Sequence, residues 1–160
     1  MCLMLLTACA EPAQHARIHT AHTLPGIDGL QLELTQDIAL TDAMRDALDH
    51  GIALRLLYRI EVCGHRRQRA VWLRHAPLKR QYELAHEGTS EVRDFARLPA
   101  LEAALDRIRL PLDLPAQAQC AGQVQVQLDL AALPTPLRFP AFFHPDAWRL
   151  RSETRSWAAP

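Results

Sequence analysis

Residues 52–62 read IALRLLYRIEV, and this stretch decides the fold. Apolar side chains recur there at every second position, while Arg55, Arg59 and Glu61 fall between them. A period of two is typical of a β-strand with one buried face and one wet face. Because strands in parallel sheets are usually buried on both faces, the alternation favours an antiparallel sheet.

The sequence on both sides of this strand repeats the alternation with two helical interruptions. Further strands are predicted within residues 30–40, 71–84 and 124–130. Strands outnumber helices, and short turns join most of the neighbouring strands. The sequence therefore predicts a strand-rich α+β fold, with a twisted antiparallel sheet or sandwich and two short helices.

The two helices have recognisable first turns. Thr41 is predicted to cap the first helix, and Gly51 is expected to end it in a left-handed conformation. Apolar residues at helical spacing from Leu98 to Ile108 predict the second helix, with Pro99 in its first turn. A basic turn is expected at residues 64–69.

Length and charge restrict the class of protein. The 160 residues support one domain with short tails, and 18 basic residues balance 18 acidic ones. A net charge of zero argues against a dedicated nucleic-acid binder, which usually carries a basic excess. Apolar runs stay shorter than the ~18 residues that a membrane-spanning helix requires.

The first nine residues, MCLMLLTAC, are similar to the end of an export signal. Leu6 to Cys9 resembles the lipobox of bacterial lipoproteins, in which small residues precede a cysteine that becomes lipidated. We therefore expect a truncated export signal at residues 1–9 with lipid attachment at Cys9. Residues 10–29 are expected to form a linker, and residues 30–160 a single globular domain.

Three histidines lie within this expected linker. His15, His19 and His22 would share one face of a helix, as a metal site requires. Prolines bracket the stretch, and no nearby side chain is fixed to orient the rings. We therefore expect a solvated linker, and neither a metal site nor a cofactor.

Three stretches together resemble the bacterial family called domain of unknown function 4390 (DUF4390). They are HGIAL at residues 50–54, LRHAPLKRQYEL at residues 73–84, and residues 128–137 followed by WRLRS at 148–152 and by Trp157. The resemblance covers roughly residues 28–157. It implies an exported proteobacterial protein, and it brings no catalytic residues because the family has no assigned reaction.

Side chains suited to binding are more evident than side chains suited to catalysis. The sequence lacks a nucleophile elbow, a phosphate-binding glycine loop and a paired-histidine zinc motif, so we expect no enzyme. Five arginines could face anionic lipid headgroups beside the anchor: Arg55, Arg59, Arg66, Arg67 and Arg69. Phe142, Phe143 and Trp148 could either bind an envelope protein or close the core.

The expected function is therefore that of an exported, lipid-anchored envelope protein on the periplasmic side, acting by binding. The alternative is a soluble cytosolic accessory protein of a signalling system. Cys63 and Cys120 lie at strand ends, and an oxidising compartment would permit a bond between them. We nevertheless expect two free thiols, because a bond requires a Cα separation that an unknown strand order does not supply.

Overall fold

The computed structural model describes residues 15–159, apart from the side chains of Pro140 and Phe142. Its strands form two antiparallel sheets. The first sheet has the order β1-β2-β7, with β1 at Ala16–Gly26, β2 at Gly29–Ile38 and β7 at Arg107–Pro111. The second has the order β6-β5-β4-β3-β8-β9, with β3 at Leu54–Val62, β4 at His65–Ala76, β5 at Gln81–His86, β6 at Val92–Phe95, β8 at Gly122–Leu128 and β9 at Arg155–Trp157.

Helices complete the described chain. They are α1 at Asp42–Asp49, α2 at Leu98–Leu105, α3 at Thr135–Phe143 and α4 at Pro145–Trp148, with a 3-10 turn at Leu130–Ala132. The prediction of a strand-rich α+β fold on antiparallel sheets is confirmed. The longest helix described has nine residues, and none is long and apolar enough to span a membrane within residues 15–159.

The inner faces of the two sheets share one core. The alternation that begins at Leu54 buries every second residue of β3, and the same pattern in β2 buries leucines that belong to the same cluster. One polar link crosses this core, because Gln36 Nε2 donates to Tyr58 Oη at 2.8 Å and to the Leu105 carbonyl at 2.8 Å. Burial raises the pKa of Tyr58, so its hydroxyl stays neutral and can act as the acceptor.

The predicted linker over residues 10–29 is wrong from Ala16 onward. Strand β1 pairs with β2 along its length, from Ala16 opposite Ile38 to Gly26 opposite Gly29. Ala16 and Ile18 are buried in the core, whereas the rest of the strand is half-buried or exposed. The folded body therefore includes residues that precede Leu30, the start expected from the sequence.

Two further local predictions are corrected. The expected basic turn at 64–69 is much shorter, because β4 begins at His65, which pairs with Val62. Cys63 and Gly64 alone form the turn, with φ of 52° and 75°. Positive φ at both positions is the geometry of a two-residue hairpin turn whose twist matches its strands. The second helix ends at Leu105, and Ile108 lies in β7 opposite Leu34.

The expectation of two free thiols is also wrong. Strand β8 pairs with β3 so that Gly122 lies opposite Val62, and this register brings the neighbouring cysteines together. Cys63 and Cys120 form a disulfide with a Cα separation of 5.2 Å. The geometric condition that the sequence alone could not supply is thus met by the strand order.

The long strand β3 separates two ends of the molecule. Two elements lie near its first residue. The segment after α1 leads into β3, and Ile52 N donates to the Ala47 carbonyl of that helix. The 3-10 turn is held there by Asp129 N, which donates to the Arg55 carbonyl. We call this the helical end, because α4 packs on α1 there. The other is the disulfide end, with Cys63 and Cys120. Nine strand residues place the two ends about 27 Å apart.

Candidate functional site

A polar groove lies on the outer face of the six-stranded sheet, toward the disulfide end. Its floor consists of two cross-strand rows contributed by β4, β3 and β8. The first row is Gln68, Arg59 and Gln125, and the second is Arg66, Glu61 and Gln123. The cavity has a volume of about 400 Å³ and is open to solvent; Arg67 and Thr154 complete its polar lining.

The groove contains guanidinium donors that bond to no other group among the described residues. Within residues 15–159, the Arg59 and Arg66 guanidinium groups form no ion pair and no hydrogen bond. Arg67 Nη1 donates to the Arg66 carbonyl at 3.3 Å. The Glu61 carboxylate, in contrast, accepts a hydrogen bond from Gln123 Nε2 at 3.2 Å. Arg67 lies opposite the buried Ile60 and so starts from the inner side of β4, at the border of the groove. The groove therefore offers the Arg59 and Arg66 guanidiniums beside one carboxylate, and these can hold an anionic group through charge-assisted hydrogen bonds.

Arg55 lies on the same face and is already paired. Its Nη2 lies 2.7 Å from one Glu87 oxygen and its Nη1 lies 2.6 Å from Asp129. The guanidinium also stands 5.8 Å from the centre of the Trp72 ring. The hydrogen bond from Arg55 lowers the pKa of Glu87, and the same bond raises the pKa of Arg55. Arg55 therefore stabilises the sheet face, and its charge is neutralised there.

Arg69 does not belong to the groove. It alternates to the inner side of β4 and reaches across to the end of β7, where its Nε donates to the Pro111 carbonyl at 2.6 Å and its Nη2 pairs with Asp113. The side chain thus joins the two sheets. Of the five arginines singled out from the sequence, the structure brings Arg59 and Arg66 together in the groove and leaves Arg67 at its border. Arg55 and Arg69 have partners elsewhere.

The aromatic candidates divide in the same way. Trp148 is 6% exposed and belongs to the core, which is the second of the two roles expected for it. Phe143, at the end of α3, is 71% exposed. The Phe142 side chain and the whole of Cys9 lie outside the described residues.

The histidines of the expected linker lie on or next to strand β1. His19 Nε2 is 2.7 Å from Asp37, and His22 Nε2 is 3.3 Å from Glu33, so each faces a carboxylate of β2. Among residues 15–159, no group of three or more His, Cys, Asp or Glu side chains could hold a metal ion. The two histidines instead pair across strands with the carboxylates of β2.

Several groove residues were not singled out from the sequence. In the sequence, Gln123 and Gln125 show only the alternation of a strand, and Thr154 carries no signal. The glutamines become groove residues because β8 pairs with β3, a neighbour more than 60 positions away. The alternation of apolar and polar residues predicts on which face of the sheet a side chain lies, but it does not predict which residues of other strands lie beside it.

The fold is that of an α+β domain with two antiparallel sheets, a shared core and a polar, solvent-open groove that carries two arginines on its outer sheet face. A family model, "Domain of unknown function (DUF4390)", matches residues 13–158, nearly the whole chain. The chain belongs to this family, which confirms the resemblance and extends it to include β1. No curated protein and no solved structure matches the chain.

Proposed function

We propose that this protein is an exported component of the bacterial envelope, attached on the periplasmic side through a lipid on Cys9, and that it acts by binding. The disulfide between Cys63 and Cys120 is the observation that carries the proposal. Disulfides persist in exported proteins and are rare in the cytosol, where thiols are kept reduced. The lipobox-like residues that end at Cys9 point to the same compartment, independently of the disulfide.

The binding role is supported by the groove on the outer sheet face. Arg59 and Arg66 supply charge, and Gln68 supplies a neutral amide. Gln125 is already bonded to Arg151 and to the Ser152 carbonyl, and Gln123 Nε2 to Glu61. Such a mixture suits a partner that presents carboxylate or phosphate groups among polar ones. The rows at Arg59 and Glu61 lie about 17–24 Å along β3 from the helical end, on the side of the disulfide end. We take an envelope protein as the partner of the groove.

The compartment is tested on protein purified from cells without a reductant. Mass spectrometry is expected to show a mature chain that begins at an acylated Cys9, with Cys63 and Cys120 unavailable to an alkylating reagent. A chain that begins at an unmodified Met1 and has both thiols free would contradict export and would support the cytosolic alternative.

The groove is tested with two matched double variants. Affinity capture from the envelope fraction is carried out with Arg59→Ala/Arg66→Ala and with Arg17→Ala/Arg97→Ala, each of which removes two exposed guanidiniums. We expect the first variant alone to lose a partner that the wild type retains, and added salt to weaken that capture. Equal loss in both variants would show that net charge, and not the groove, determines binding.

A further inference from the structure

Exposed apolar side chains gather at the helical end. Phe139 and Phe143 are separated by one turn of α3 and share its outer face, where they are 67% and 71% exposed. Leu130, in the 3-10 turn, is 40% exposed. Large aromatic side chains in such positions mark contact surfaces more often than isolated exposed leucines do.

A shallow apolar hollow lies beside these residues. It has a volume of about 300 Å³ and is bordered by the 3-10 turn, α3 and α4, with Leu130, Ala141 and Trp148 in its lining. Arg149 and Arg151 stand at its rim. We call these elements together, with their exposed side chains, the α3–α4 surface.

The α3–α4 surface carries more positive than negative charge. Arg138 of α3 is exposed, although its Nε donates to the Leu133 carbonyl, and Arg149 and Arg151 are exposed at the hollow. The acidic residue of α4 is Asp146, in its first turn. An apolar centre bordered by arginines is the arrangement found where proteins rest on anionic bilayers, since cations favour the negative headgroup layer.

The described chain begins at the same end. The His15 carbonyl accepts a hydrogen bond from Ala39 N at 2.9 Å, and two residues later Thr41 Oγ1 donates to the Ala147 carbonyl of α4 at 2.6 Å. Five residues separate His15 from Cys9. Even a fully extended chain over six peptide steps reaches at most about 20 Å.

We infer that the α3–α4 surface is the membrane-facing surface of this protein, which rests on an anionic bilayer with Phe139 and Phe143 among the headgroups. The inference deepens the proposed function, because a lipid at Cys9 would bring this end to the membrane. The basic groove adjoins this surface, since Arg151 Nη2 donates to Gln125 Oε1 at 3.2 Å, and it extends from there along β3 toward the disulfide end, away from the bilayer. The arginines that meet headgroups are thus Arg138, Arg149 and Arg151, and not the groove residues.

Binding to vesicles tests the inference without lipidation. The full chain carrying Cys9→Ser is sedimented with phosphatidylglycerol–phosphatidylcholine vesicles and with phosphatidylcholine vesicles. Two variants of this Cys9→Ser chain are sedimented in the same way. One carries Phe139→Ser/Phe143→Ser, and the matched control carries Ile27→Ser/Val92→Ser, which removes two exposed apolar side chains elsewhere. We expect partition onto the anionic vesicles to fall about tenfold or more in the first variant and less than twofold in the control.

Amide hydrogen exchange with and without vesicles provides a second measurement, because the apolar first residues could bind lipid in every variant. We expect vesicles to protect residues 135–151 and to leave residues 59–68 unchanged. Absence of binding, equal partition of all three chains, or protection at residues 59–68 alone would overturn the inference. Concentration-dependent dimerisation that only the Phe139→Ser/Phe143→Ser variant abolishes, without vesicle binding, would assign the surface to self-association.

Failure of this inference can be distinguished from failure of the proposed function. Vesicle binding depends on the purified chain alone, whereas export and acylation are read from the mature protein in cells. An unmodified Met1 together with vesicle binding through the α3–α4 surface would remove the anchor and retain the membrane surface. An acylated Cys9, together with vesicle binding that does not depend on Phe139 and Phe143, would retain the anchor and remove the membrane surface.

Discussion

Removal of the disulfide is expected to cost this protein a large part of its stability. The bond between Cys63 and Cys120 closes a loop of 57 positions, and in the chain-entropy model such a loop contributes about 4 kcal/mol. Domains of this size typically unfold with only about 5–15 kcal/mol. With an unfolding entropy of about 2.1 cal/mol/K per residue, the Cys63→Ser/Cys120→Ser variant should melt about 12 °C below the wild type.

Urea unfolding of the two chains, each with and without reductant, measures this cost. The reductant should destabilise the wild type and leave the variant unchanged, since only the wild type has the bond. The dependence of the free energy on urea should be steeper for the variant, because an uncrosslinked chain exposes more surface when unfolded. A variant within about 1 kcal/mol of the wild type would refute the reasoning, because loop closure would then contribute little.

Three further predictions concern single contacts. Tyr58→Phe should lower the free energy of unfolding by about 1–3 kcal/mol, because it leaves Gln36 Nε2 without one acceptor. In a double-mutant cycle measured by urea unfolding, Tyr58→Phe combined with Gln36→Leu should cost less than the sum of the two single variants. Because Arg55 lowers the pKa of Glu87 below its ordinary 4.5, the stability from this pair is present above pH 4.5 and lost as the pH falls through the lower folded value; Glu87→Gln should abolish that loss in acid melting curves. Gly122→Ala should cost about 2 kcal/mol or more and alter the tryptophan fluorescence, because its Cβ would lie 2.5 Å from the Glu61 carbonyl and against Trp157, whereas the control Gly26→Ala meets only the flexible Gln31 side chain.

The sequence predicts best where one face of an element is buried and the other is wet. The alternation at residues 52–62 and 124–130 gave β3 and β8 because the inner side chains enter one core while the outer ones meet solvent. Thr41 was identified as a cap because its hydroxyl satisfies the otherwise unpaired Met44 N–H, a contact of only three positions. Such signals depend on neighbours in the chain.

The sequence fails where distant partners decide the structure. Strand β1 was missed because only Ala16 and Ile18 enter the core, and its remaining pairing with β2 needs no hydrophobic pattern. Ile108 continued the apparent helical spacing, but pairing opposite Leu34 placed it in a strand. The same reason explains Arg55, whose carboxylate partners lie 32 and 74 positions away.

The disulfide also connects the proposed compartment to the proposed binding site. The row of Arg66, Glu61 and Gln123 is the last row of the groove before the paired residues Val62 and Gly122. Cys63 follows Val62 directly, and Cys120 lies two positions before Gly122. In the oxidised protein, the bond holds the loop before β8 against the turn after β3. In a reducing compartment this row would be held by strand pairing and by the hydrogen bond from Trp157 Nε1 to the Cys120 carbonyl. We therefore expect the oxidised chain to bind the proposed partner more tightly than the reduced chain, because a binding groove gains affinity from a fixed geometry.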